Sequence, residues 1–261
     1  MSKLCFTKYH GAGNDFILID DRALLFNPQI VPLLCHRKFG IGADGVILLQ
    51  EDERADFRMR IYNADGKEAE SCGNGLRCLM KFAIEKGLHF ERAKIATLSG
   101  VVEAQIYGDK VKVSLGEVGN VKRLYISDHE VFSLNVGVPH AVLFSNEPLE
   151  KWGPYLHDHP LFSPEKTNVN VAQMQKNGVI CVRVFERGVG ETLACGTGAA
   201  AVGYIASKIR HFTNPIRISM QGGPLQIDVE EDKVFLTGGA IKVFEGILPK
   251  LSANSVEWAN H

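Results

Sequence analysis

Ser71-Cys72-Gly73-Asn74-Gly75-Leu76 and Ala194-Cys195-Gly196-Thr197-Gly198-Ala199 are two versions of one signal. In each, a cysteine precedes a glycine-spaced turn, and a long apolar run follows. A thiol at a helix N-terminus meets unpaired backbone N–H groups and the positive end of the helix dipole. Both favour an anion and draw a cysteine from its free pKa of roughly 8.5 toward neutrality. The plainer reading is a small apolar residue packed at a helix start, and for one cysteine it would be preferred. Recurrence in register, with glycines at the same places, favours chemistry. A thiolate and a thiol on opposite sides of a cleft are suited to inverting a carbon centre, one removing a proton and the other delivering one.

The spacing of 123 residues extends well beyond the cysteines. It carries Tyr62 to Phe185, Glu68 to Glu191, Ile95 to Ile218, Gly100 to Gly223, and Asp109-Lys110-Val111 to Asp232-Lys233-Val234. One ungapped offset thus relates about fifty residues, a period too long for a solenoid, and implies two similar lobes. The expected lobes are 1–117, joined by the C-terminal segment 249–261, and 118–248.

Within each lobe the pattern predicts a strand (58–63; 179–187), a loop to the cysteine, and a helix (about 74–86; about 197–210). Further strands follow at 94–98, 101–107 and 110–115, and at 216–220, 225–230 and 234–237. Gly108-Asp109 and Glu231-Asp232 read as hairpin turns. The second helix is apolar through Ile209 and the first has little polar face, so both are expected to be buried. The fold class implied is α+β: two pseudo-symmetric lobes, each a curled, mostly antiparallel sheet wrapped around a central helix. Both helix N-termini would open on the cleft between the lobes.

The chain has 261 residues, 45% of them hydrophobic and 23% charged, and a net charge of −1. That balance leaves no footprint for nucleic acid or an anionic membrane. No apolar run approaches a membrane span, and the first residues lack a signal-peptide core, so a cytoplasmic protein is expected. Six cysteines are too few for a disulfide scaffold. Cys72 and Cys78 are too widely spaced for a common zinc knuckle, and no metal site is expected. Cys5, Cys35 and Cys181 read as buried structural thiols.

Gly73-Asn74-Gly75 and Gly196-Thr197-Gly198 place backbone N–H groups where a carboxylate could bind; Asn74 and Thr197 could equally be helix caps. Gly40-Ile41-Gly42-Ala43-Asp44-Gly45 matches a dinucleotide fingerprint in letters only, because it precedes a strand and opens no helix. Glu186-Arg187 ends a strand, either facing the site or forming a surface ion pair. His140, taken alone, reads as structural.

The motifs together resemble the diaminopimelate epimerase family, over essentially the whole chain. They are His10-Gly11-Ala12-Gly13-Asn14-Asp15-Phe16, Asn63-Ala64-Asp65-Gly66 running to Cys72-Gly73-Asn74-Gly75-Leu76-Arg77, and Glu186-Arg187-Gly188 running through Glu191-Thr192 to Cys195-Gly196-Thr197-Gly198. The resemblance implies an isomerase that needs no pyridoxal phosphate or other cofactor. One of Cys72 and Cys195, as thiolate, would take the α-proton of LL-diaminopimelate, and the other would reprotonate the opposite face to give the meso form. Gly73, Asn74, Gly196 and Thr197 match the segments that hold the reacting carboxylate. Asn63, Asn168 and Arg187 match residues that grip the distal end, and Asn14 and Glu186 also match substrate-site residues. His140 and Glu186 match positions that tune the thiols. A homodimer in lysine and peptidoglycan synthesis is implied as well.

Two positions depart from the family pattern. Val138 stands where many members carry an asparagine for the distal end, and Gly45 where some carry a glutamine. Fewer polar partners imply relaxed substrate choice, extending to glutamate. Other racemases of the same fold remain open. So does a non-catalytic amino-acid binder, or a redox protein in which Cys72 and Cys195 form a disulfide.

Overall fold

The computed structural model describes residues 4–248; the segment 249–261, expected to complete the first lobe, lies outside the described residues. The described residues divide into two compact units, one of residues 4–111 with 239–248 and one of residues 112–238. In the first, Ile241–Leu248 pairs antiparallel with Leu4–Gly11, which pairs antiparallel with Asn14–Asp20. Gly45–Gln50 adds in parallel, Phe57–Asn63 antiparallel, Arg92–Thr97 in parallel and Gly100–Tyr107 antiparallel.

The second unit repeats this alternation. Gly119–Ile126, His129–Val136 and Val138–Phe144 are successively antiparallel. Asn168–Met174 then adds in parallel, Ile180–Glu186 antiparallel, Ile216–Met220 in parallel and Gly223–Glu230 antiparallel, with Lys233–Gly238 closing a hairpin.

Two parallel strands need a crossover connection between them, usually a helix. The crossover from Phe57–Asn63 to Arg92–Thr97 is the helix Gly73–Glu85, and that from Ile180–Glu186 to Ile216–Met220 is the helix Gly196–Lys208. Each sheet curls over its helix. Gly73–Glu85 packs on five strands of its unit and Gly196–Lys208 on seven. Every residue of the second helix from Gly198 to Ala206 is buried, so its all-round apolarity has a structural cause.

The 123-residue repeat holds in detail. Strands Phe57–Asn63 and Ile180–Glu186, helices Gly73–Glu85 and Gly196–Lys208, and strands Gly100–Tyr107 and Gly223–Glu230 correspond end to end. The pairings Phe57 to Ile95 and Ile180 to Ile218 also correspond. So do the ion pairs Arg60–Glu68 at 2.7 Å and Arg183–Glu191 at 2.8 Å, which fasten the short strand before each cysteine.

Three expectations need correction. The helices begin at Gly73 and Gly196, so the N-cap residues are the cysteines and not Asn74 and Thr197. Both cysteines have extended backbone (φ −152° and −124°), as a cap requires. Cys5 is exposed and Cys181 half-buried; only Cys35 of that set is buried. Cys5 lies near the end of Leu4–Gly11, before the buried run Phe6–Tyr9 begins. Glu186 and Arg187 form no ion pair with each other; each bonds elsewhere, as described below. None of the described helices is long and apolar enough to cross a membrane.

The third residue of each helix must be small. A Cβ on Gly75 would lie 2.8 Å from Cδ1 of Ile47, the free end of a side chain. A Cβ on Gly198 would lie 2.3 Å from Oδ1 of Asn170, a fully buried amide held by two hydrogen bonds. Alanine is the better helix former by about 1 kcal/mol, but overpacking costs about 1–3 kcal/mol. Gly198→Ala is therefore expected to lower the urea midpoint clearly, and more than Gly75→Ala, where the Ile47 methyl can swing aside. Equal midpoints for the two variants would contradict this.

Candidate active site

In the first unit the strand Phe57–Asn63 leads through the short strand Glu68–Ala69 to Cys72. The Cys72 sulfur accepts the N–H of Gly75 at 3.4 Å, closing the first turn of the helix. It also lies 3.7 Å from Oδ1 of Asn14, which accepts the Asn74 side-chain amide at 3.4 Å. Asn14 is held from behind: its Nδ2 donates to Asp44 at 2.8 Å, Arg37 bonds Asp44 at 2.7 Å, and Arg37 bonds Asp15 at 2.8 Å. This is the role of the Gly40–Gly45 segment. It positions an aspartate behind the cysteine's neighbour.

Asn74 is buried and its Oδ1 has no partner among the described residues. Arg77, one turn further on, is fully buried. Its Nε donates to Gly239 O at 3.2 Å and its Nη1 to Gly73 O at 3.3 Å, while Nη2 has no partner among the described residues. Burial draws its pKa down, and the thiols of Cys78 and Cys72 oppose that shift. A guanidinium with no carboxylate beside it among the described residues thus lies within electrostatic reach of Cys72. Asn63 ends its strand, exposed, opposite Gly45 in register.

In the second unit Cys195 is only 6% exposed. Burial pushes its thiol above the ordinary value, and the Glu186 carboxylate adds to the rise. The Thr197 hydroxyl, 3.4 Å from the sulfur, and the Gly198 N–H pull the other way without prevailing. The expectation of a thiol drawn toward neutrality fails here, because desolvation of a buried thiolate outweighs the helix end.

Of the residues matched to the distal end, Asn168 and Arg187 come together nearby, and Asn63 is not among the residues that line their pocket. Val138, Asn168, Glu186 and Arg187 line one pocket of about 650 Å³, with Glu165 and Lys166. Asn168 Oδ1 accepts the backbone N–H of Arg187 at 2.9 Å, and Arg187 Nη1 donates to Glu165 O at 2.8 Å. Glu186 accepts the hydroxyl of Thr192. Val138 therefore places an apolar side chain at the position in question. Gly45 is different: a Cβ there would lie 2.5 Å from the Tyr62 carbonyl oxygen, so a glutamine could not enter without parting the two strands.

His140 is fully buried on the strand Val138–Phe144, beside Asn168 in register. Burial, with a smaller effect of the Arg187 charge, lowers its pKa to about 3, and the ring is neutral at ordinary pH. Two buried polar residues were given no role by the sequence: Arg77, which appears there only as the end of a motif, and Asn170, which stands out only as a polar residue on an otherwise apolar strand.

Known proteins resemble this chain in sequence and in fold. The family model described as diaminopimelate epimerase matches residues 6–121 and 132–243. A diaminopimelate epimerase of Archaeoglobus fulgidus is 38% identical over 275 residues, covering 94% of this chain and 96% of the relative. One from Hydrogenobaculum is 40% identical over 272 residues, covering 94% and 98%. Among solved structures, a Bacillus anthracis protein of the PhzF phenazine-biosynthesis family superposes with a TM-score of 0.74 at 16% identity, covering 95% of this chain and all of that one. A hydroxyproline epimerase of Agrobacterium vitis gives 0.69 at 14%, covering 97% and 94%. The two structural likenesses carry the fold alone. Identity near 40% along almost the whole chain, with both cysteine turns inside the matched segments, places the chain in the diaminopimelate epimerase family.

Proposed function

We propose that the protein interconverts LL- and meso-diaminopimelate by moving one proton between two thiols, in the cytoplasm and for lysine biosynthesis. The observation that carries this reading is that Cys72 and Cys195 are N-caps at equivalent positions of two buried helices, within a chain of this family. In the reaction proposed, the Cys72 thiolate removes the α-proton and becomes a thiol. The electron pair left on the α-carbon delocalises into the α-carboxylate, whose charge is met by N–H groups at the helix starts. The Cys195 thiol delivers its proton to the opposite face and is left as the thiolate. The total proton count on the protein is unchanged, and the reverse reaction restores the roles.

Cys195 as the resting acid is supported by its raised pKa, and Cys72 as the base by the Gly75 N–H and the buried Arg77. In deuterium oxide the enzyme should incorporate α-deuterium and yield the meso isomer with no pyridoxal phosphate added. Cys72→Ala and Cys195→Ala should each abolish epimerisation, and turnover surviving in either would sink the two-thiol mechanism. Activity should fall at acid pH as the thiolate base is protonated. It should fall again at alkaline pH as the thiol acid ionises. A Cys195 pKa raised above the ordinary thiol value puts that alkaline limb above the range in which a free cysteine ionises.

Val138 in the pocket beside Asn168 and Arg187 supports relaxed choice at the distal end, because a site lacking a polar partner discriminates weakly against analogues lacking the matching group. Racemisation of L-glutamate above a Cys72→Ala control is the expected outcome. Its absence would mean that Asn168 and Arg187 suffice to demand the longer substrate. A homodimer is supported by the apolar side chains left outside on Ile241–Leu248, where Ile241, Val243, Phe244 and Ile247 are exposed. Sedimentation equilibrium should read twice the chain mass, and a monomer at micromolar concentration would refute it.

A further inference from the structure

Asn170 has no role in the reaction as so far described, yet it joins two parts of the second unit's site. Its Nδ2 donates to the carbonyl oxygen of Ala141 at 3.2 Å and lies 3.1 Å from Nδ1 of His140. Its Oδ1 lies against Gly198 in the first turn of the Cys195 helix. The carbonyl of Ala141 can only accept, and this fixes which end of the amide is the NH2 group. The atom facing His140 is therefore a donor, and Nδ1 of that ring must be the acceptor. A neutral imidazole accepting at Nδ1 carries its proton on Nε2. That Nε2 is buried and has no partner among the described residues.

The first unit shows that this polarity is not required by the fold. By the 123-residue repeat, Asn170 corresponds to Ile47, and Gly75 packs on Ile47 as Gly198 packs on Asn170. Asn168, the register partner of His140, corresponds to Gly45, whose own partner is Phe16. Apolar Phe16 and Ile47 occupy in one unit what His140 and Asn170 occupy in the other.

We propose that Asn170 is a positioning residue that directs both amide hydrogens to Ala141 O and His140 Nδ1, fixing His140 as a neutral imidazole with a buried Nε2–H donor. His140 is then a hydrogen-bond donor to the site and never a base, so proton abstraction stays with the thiols. The consequence for turnover rests on the epimerase reading; the tautomer does not.

The test is long-range proton–nitrogen NMR on intact protein labelled with 15N in its histidine rings, from about pH 6 to pH 9, the range in which a free histidine loses its charge. His140 should show a protonated Nε2 and a bare Nδ1 throughout. His157 is the internal contrast: its Nδ1 lies 2.9 Å from the carbonyl oxygen of Thr167 and, in the neutral ring, must be the protonated nitrogen. In Asn170→Asp a carboxylate replaces the donor, and the proton should move to Nδ1 of His140. The same variant should lose about tenfold or more in kcat with KM little changed, since an imidazole held in the wrong tautomer loses its function. A proton on Nδ1 of His140 in the native protein overturns the proposal even if the variant fails to fold. So does an unchanged His140 signature in a folded Asn170→Asp. Full kcat after a tautomer change would remove the role in turnover and leave the epimerase reading intact.

Discussion

The position of each thiol depends on how closely the third residue of its helix approaches a neighbouring strand. A helix that links two parallel strands of a curled sheet is enclosed by that sheet and must bury its first turn as well as its middle. Gly75 and Gly198 make this possible, with Ile47 and Asn170 filling the space a side chain would take. The cysteine three residues earlier is thereby fixed as the N-cap, with its sulfur over the helix start. Were the first helix to stand off by even a methyl group, the Cys72 sulfur would lose the Gly75 N–H. Packing and the placing of the thiol depend on the same glycine.

Equivalent backbones have been given unequal polarity. The first unit surrounds its helix start with Phe16, Gly45 and Ile47, and presents the thiol to Asn14 and to the electrostatic reach of a buried guanidinium. The second supplies His140, Asn168 and Asn170, with Glu186 raising the thiol. A proton can be moved in a defined sense only if the two thiols start in different states. Two identical environments would leave both ionised or both protonated for much of the pH range. The duplication thus repeats the backbone geometry, and departures from it raise the Cys195 thiol and place a buried guanidinium within reach of Cys72.

The duplicated fold was legible in the sequence because a fixed offset records backbone equivalence: strands, helices and the Arg60–Glu68 and Arg183–Glu191 pairs all follow it. The helix starts were placed one residue late, because asparagine and threonine resemble caps and cysteine does not. The burial of Cys195 and the exposure of Cys5 were not legible. Both depend on where a strand ends relative to its neighbours, which periodicity does not record. Asn170 was missed for a related reason: a polar residue on a buried strand declares itself only through its partners, and those come from other strands and from the helix.

The rise of the Cys195 thiol bears on the reaction proposed above. In the reaction proposed, once Cys195 has given up its proton that sulfur is the thiolate, and its burial disfavours the charge. A substrate that binds and excludes water would sharpen the disadvantage, unless donors already in place respond to the charge. Thr197 and the Gly198 N–H are such donors. Both already lower the thiol, and neither has to move to meet the charge when it forms. Burial, and after it the Glu186 carboxylate, oppose them and raise the resting thiol. In the reaction proposed, Thr197 and the Gly198 N–H would meet the charge as Cys195 gives up its proton, with no group having to reorganise.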